Sequence, residues 1–84
     1  MADTFHIEIA TPEKLVLDQQ AESAQIPGAD GYMGILPGHA ALLSELGQGV
    51  LQVTASGQTR SFTITGGYVE VRDNHVRVLA DSAE

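Results

Sequence analysis

The sequence predicts an all-β domain, either a sandwich or a barrel. Three observations carry that prediction. Apolar and polar residues alternate along several segments, as they do in strands with one buried and one wet face. Turn signals recur roughly every 8–12 residues, the spacing of short strands joined by tight connections. No window keeps a helical apolar repeat over the ten or so residues that a helix needs.

Each element follows from the local pattern. In "FHIEI" (5–9) Phe5, Ile7 and Ile9 point one way, and His6 and Glu8 the other. "TPE" then marks a turn, "KLVLD" (14–18) a second strand and "ESAQI" (22–26) a third. "PGADG" turns the chain into "YMGIL" (32–36), which Pro37–Gly38 breaks. "HAALLSEL" (39–46) fits one or two helical turns and a short strand equally well. "GVLQVTA" (49–55) leads through the hairpin signal Ser56–Gly57 to "RSFTI" (60–64), where Phe62 and Ile64 alternate with Ser61 and Thr63. Gly66–Gly67 makes a corner before "YVEVR" (68–72), in which Val69 and Val71 point inward. Asp73–Asn74 is a tight hairpin into "HVRVL" (75–79), with Val76 and Val78 inward and His75 and Arg77 outward.

Composition narrows the functional classes. Eighty-four residues make one domain, expected over 1–84, with a small core. There is no cysteine, so no disulfide and no thiolate metal site supports it. Four basic residues, Lys14, Arg60, Arg72 and Arg77, stand against eleven acidic ones, for a net charge of −7. That balance argues against nucleic acid, which needs a basic footprint, and against an anionic membrane surface. No apolar run approaches the roughly 20 residues of a membrane span. The opening "MADTFHIEIA" lacks a basic region followed by an apolar one, so no secretory signal is read. The chain reads as soluble and cytoplasmic.

Catalytic chemistry finds little support. Ser44 follows His39 by five residues and adjoins Glu45, but no Gly-x-Ser-x-Gly elbow surrounds it. His6, His39 and His75 are far apart in sequence; His6 and His75 could meet only across a sheet, and exposed polar positions explain them. "GADGYMG" lacks the Lys-Ser/Thr of a phosphate-binding loop and no helix follows it. Its glycines are read as turn and close-approach residues. No cofactor is expected. A carbohydrate-binding sandwich would need an exposed aromatic platform, and the only aromatic residues are Phe5, Tyr32, Phe62 and Tyr68. What remains is surface. Met33, Ile35, Leu36, Leu42, Leu43 and Leu46 give the 32–46 region more apolar side chains than one small core obviously needs. Either the segment caps the core or it meets a partner.

The stretch "GADGYMGILPGHAALL" resembles the signature loop of the epsilon subunit of bacterial F-type ATP synthase. That family shows Gly-x-(acid)-Gly-x-x-Gly-(Ile/Val)-Leu-Pro-Gly-His-Ala-Pro-Leu-Leu. Gly28, Asp30, Gly31, Gly34, Ile35, Leu36, Pro37, Gly38, His39, Ala40, Leu42 and Leu43 fit it. "FHIEIATPEKLVLD", "LGQGVLQV" and "FTITGGYVEVRDNHVRVLADSAE" resemble other parts of the family in colinear order. The resemblance implies an antiparallel β-sandwich of about ten short strands in two sheets. It implies a non-catalytic subunit of the central stalk that couples the gamma subunit to the c-ring, on the cytoplasmic face of the bacterial inner membrane, without inserting into it. By motif position, His39, Ala40, Leu42 and Leu43 would meet gamma, and Asp30, Gly31 and Tyr32 the c-ring loops. Gly28, Gly34, Pro37, Gly38, Gly66 and Gly67 would be structural turns. Two positions depart from the pattern: Tyr32 stands where many members carry an acid, and Ala41 where the family has proline. The family generally continues into a C-terminal helical hairpin, which is expected to be absent here, so inhibition and ATP binding by that element are not carried over.

Overall fold

The computed structural model describes residues 3–84, and the first two residues of the expected domain lie outside that range. Eight strands form: β1 (Phe5–Ala10), β2 (Leu15–Ala21), β3 (Ser23–Gly28), β4 (Gly31–Ile35), β5 (Leu42–Glu45), β6 (Gln48–Ala55), β7 (Gln58–Arg72) and β8 (His75–Ala83). They hydrogen-bond in the order β2-β1-β8-β7-β6-β3-β4, with β5 paired to β7. The all-β prediction holds, with eight strands where about ten were expected. The difference arises mainly at β7, where the two alternating runs on either side of Gly66–Gly67 form one 15-residue strand.

That long strand folds the sheet over. Its first half pairs with β6, from Gln58 opposite Ala55 to Thr65 opposite Gln48. Its second half pairs with β5, from Tyr68 opposite Glu45 to Val71 opposite Leu42. β8 follows its other side through the bend, from Arg72–His75 to Ile64–Ala83. At the bend Gly67 has a φ of 110°, and a Cβ there would fall onto the Leu79 carbonyl oxygen. Only glycine fits so close an approach at that dihedral. Glu22 makes the second corner: its N–H donates to Thr54 O at 2.8 Å as the chain passes from β2 to β3. One continuous sheet thereby becomes two layers, with strands changing layer at bends. The smallest dimension, 19 Å, accommodates two sheets about 10 Å apart with their outer side chains.

One pairing departs from the antiparallel expectation. β1 and β8 run parallel, with His6 opposite His75 and Ile9 opposite Val78. Hairpin signals report only pairs that are neighbours in sequence, and parallel partners need a long connection. Here nearly the whole chain supplies it.

The inward parity of each strand fills the space between the layers. Ile7, Ile9, Ile26, Leu51, Ile64, Val69 and Val78 are fully buried, and no polar or charged side chain of the described residues is buried. The turns have the chemistry the sequence predicts. Ser56, Asp73 and Asn74 all take positive φ, as does Gly57, which matches the twist of the strands that these two-residue turns join.

The ambiguous 39–46 segment resolves as β5. Leu42 packs against the core and Leu43 faces water, a period-two pattern that a strand satisfies and a helix does not. The second half of β7 offers the free edge on which it pairs.

Candidate functional site

The signature stretch occupies both ends of the molecule. Ala29–Asp30 forms the tip between β3 and β4, and this tip is anchored from beneath. The Ala29 N–H donates to Glu45 O at 3.0 Å, and the Gly47 N–H to Pro27 O at 2.9 Å. Leu46 N–H in turn reaches Gly67 O at 2.9 Å, so the tip rests on the corner where the sheet folds. Asp30 and Gly31 are exposed there.

Tyr32 follows on β4. Its ring lies over Gly49, whose missing side chain leaves the room. Its hydroxyl accepts the Val50 N–H at 2.9 Å, while the residue stays 54% exposed. Pro27, opposite Tyr32, has no N–H, and regular pairing between β3 and β6 covers only Ser23 to Gln25. Tyr32 therefore satisfies a strand donor beyond that pairing. A phenol that accepts keeps its own O–H to donate outward, so this position offers a hydrogen-bond donor.

At the far end of β4, Leu36-Pro37-Gly38-His39 closes a turn with His39 N–H donating to Leu36 O at 3.1 Å. Gly38 has a φ of 84°, which with proline ahead of it is type II chemistry. Asn74 holds this turn in place. Its Oδ1 accepts the Gly38 N–H at 2.7 Å, its Nδ2 donates to Thr4 O at 2.8 Å, and its carbonyl accepts the His6 N–H at 3.0 Å. His39 is half-buried, with Nδ1 on Ala40 O at 2.8 Å. That hydrogen bond fixes the ring on its own neighbour's backbone, and none of the described carboxylates pairs with it to make a base.

The predicted residues thus separate. Asp30, Gly31 and Tyr32 lie at one end of β4, and His39 at the other. Five residues at about 3.3 Å each put roughly 16 Å between them. Ala40 is exposed, Leu42 is half-buried against the core, and Leu43 is 72% exposed on edge strand β5. Of the expected turn residues, Pro37, Gly38, Gly66 and Gly67 serve bends. Gly28 closes β3 beside the tip. Gly34 lies inside β4 opposite Gln25, and a side chain there would meet nothing. It is a strand residue, not a turn.

Two features escape a reading of motifs. Tyr68, Leu79, Ala10 and Leu15 stand in register across β7, β8, β1 and β2, and Tyr68, Leu79 and Leu15 are each more than half exposed. Their signal is apolar residues at outward parity in alternating strands. The other is polar. The parallel β1–β8 pairing brings His6 and His75 together, with ring centroids 4.9 Å apart, edge to face. His75 Nε2 meets Glu8 Oε1 at 2.6 Å, and His6 Nε2 meets Asp18 Oδ1 at 2.6 Å. The hydrogen bond from His75, helped by the charges of His75, Arg77 and His6, holds the Glu8 carboxyl below its ordinary value. Sequence spacing alone hides this cluster, because only the long-range parallel pair creates it.

Comparison with known proteins assigns the family. Residues 4–84 match the family described as ATP synthase, Delta/Epsilon chain, beta-sandwich domain. The ATP synthase epsilon chain of Solibacter usitatus (strain Ellin6076) is 49% identical over 84 residues, 100% of this chain and 63% of that one. The epsilon chain of Koribacter versatilis (strain Ellin345) is 50% identical over the same 84 residues and is covered to 59%. The chain therefore spans about 60% of the length of these relatives. A chain in the Euglena gracilis mitochondrial ATP synthase structure with OSCP, F1 and c-ring superposes with a TM-score of 0.91 at 24% identity, over 96% of this chain and 52% of that one. That superposition supports the fold, and the family match extends through every strand. This chain belongs to the ATP synthase delta/epsilon chain β-sandwich family.

Proposed function

We propose that the chain is a non-catalytic part of the central stalk of a bacterial F-type ATP synthase. In this reading it joins the gamma subunit to the c-ring, so that rotation driven by ion flow reaches the catalytic head as torque. It works at the cytoplasmic face of the inner membrane, peripherally, within the F1 sector. The sandwich of residues 1–84 carries the docking by itself. His39, Ala40, Leu42 and Leu43 face gamma, with Leu42 also packing against the core, and Asp30, Gly31 and Tyr32 approach the ring loops.

The observation that carries the reading is Leu43, a leucine 72% exposed on a formed edge strand, within the stretch that matches the family signature. A large apolar side chain held in water on an ordered edge gains by being covered. Rigidity supports the same reading. The Asp30 tip rests on the β7 bend and the Pro37–Gly38 turn on Asn74, so force applied at one end reaches the other through a packed core with little give.

Leu43→Asp tests it. Leu42 is the poorer probe, because it packs against the core and a charge there would damage the fold. Capture of the gamma subunit by Leu43→Asp is expected to weaken at least about tenfold, the scale of a central apolar contact, with the far-UV circular dichroism unchanged. Undiminished capture contradicts the assignment of this edge to gamma.

A further inference from the structure

We propose that His6, Glu8 and His75 form a binding site for a divalent transition metal such as Zn²⁺, on the outer face of the β1–β8 pair. The site is independent of the stalk reading.

The backbone sets the ligands first. β1 and β8 are paired in parallel with His6 opposite His75, so both imidazoles leave the same face side by side. Glu8 lies two residues further along β1, on that face again. Beneath them Ile7 and Val76, with 0% and 1% exposure, fix the strands in the core. One ligand atom from each of the three residues lies within 4.8 Å of the other two. A tetrahedral zinc with bonds of about 2.0–2.1 Å holds its ligands roughly 3.4 Å apart. Small rotations of half-exposed side chains close that difference.

The chemistry suits the ion. Two imidazole nitrogens and one carboxylate oxygen are donors that zinc accepts, with a fourth position left for water. Without metal, His75 Nε2 holds a hydrogen bond to Glu8, and His6 Nε2 one to Asp18. Metal binding displaces the Nε2 proton of each ring: the nitrogen gives its lone pair to the metal, and the proton moves to Nδ1 in a neutral ring or leaves to water from an imidazolium, whose Nδ1 is already protonated. Without metal, Gln20 Nε2 donates to His6 Nδ1 at 3.2 Å; once Nδ1 carries the ring proton, the exposed Gln20 amide turns over so that its oxygen accepts, the kind of outer contact that fixes a ligating imidazole. Asp18 stays beside the site as a second negative charge and an acceptor for the bound water. Arg77, 3.6 Å from Glu8, opposes the ion, and Glu70 opposite Arg77 on β7 offsets it.

Zinc titration of the chain, followed by calorimetry and by imidazole ¹⁵N shifts, tests the proposal. Binding is expected with one zinc per chain, with shifts in His6 and His75 and none in His39. Mg²⁺ is expected not to compete, because it prefers an oxygen octahedron. His6→Gln and His75→Gln are each expected to lower the affinity at least about tenfold, while His39→Gln leaves it unchanged. No binding at submillimolar zinc overturns the proposal. So does binding that survives His6→Gln and His75→Gln, or that shifts His39 equally, which would mark an unspecific acidic surface. The ¹⁵N shifts need no variant, so they decide the matter even where a substitution fails to fold.

Discussion

Asn74 shows how one residue couples distant parts of this domain. It sits at a positive φ of 61° in the β7–β8 turn, and its side chain ties the Pro37–Gly38 turn to the start of β1. Replacing it with alanine removes both hydrogen bonds and places a less tolerant residue at that dihedral. Each bond contributes about 0.5–1.5 kcal/mol, and the dihedral adds about 1 kcal/mol. Asn74→Ala is expected to cost about 2–4 kcal/mol in urea denaturation. Asn74→Gly keeps the dihedral accessible and loses only the bonds, so its cost is expected to be smaller. Equal costs contradict a contribution from the dihedral. The sequence reveals Asn74 as a turn residue, because Asx residues tolerate positive φ. Its bonds to Gly38 and Thr4 join positions 36 and 70 residues away, and no local pattern encodes them. His39 is the converse. Its neighbours make it look like a candidate base, yet the ring is engaged with the adjacent carbonyl.

The elements were legible where parity is strict. Phe5-Ile7-Ile9, Val69-Val71 and Val76-Val78 all point inward as alternation requires. Segment 39–46 was ambiguous because four strand residues are too few for periodicity to separate strand from helix. A tertiary fact, the free edge on β7, decided it. Gly66–Gly67 reads as a corner, but its consequence is larger than a turn: the strand continues through it and changes layer. The parallel β1–β8 pair was not legible because it joins the two ends of the chain; sequence alone allows His6 and His75 to meet across a sheet but explains them as exposed polar positions, and it does not place Glu8 with them. The bend gives an element-scale prediction. In Gly67→Ala a Cβ meets the Leu79 carbonyl at a φ of 110°. Strain and collision together are expected to cost more than about 3 kcal/mol. Gly34→Ala, inside β4 with open space around it, is expected to be neutral or slightly stabilising by thermal melting. A harmless Gly67→Ala would mean that the sheet does not turn there.

At the scale of the whole molecule, the fold converts one contiguous signature into two separate surfaces. Asp30 stands at the corner where the sheet folds, and His39 at the end braced by Asn74, with β4 between them. β5 carries Leu43 along the free edge that joins the two. The residue types of the signature were readable in sequence, and so was its excess of apolar side chains. Which of those side chains face water was not, since Leu42 and Leu43 are adjacent and only strand pairing makes one inward and the other outward. The stalk reading requires these two surfaces to meet different partners at once. Photo-crosslinking from positions 30 and 43 of the chain in the assembled ATP synthase tests this most directly. Adducts are expected with c-subunit loops from position 30 and with gamma from position 43. Capture of the same partner from both positions, or no gamma adduct from position 43, would contradict the stalk reading.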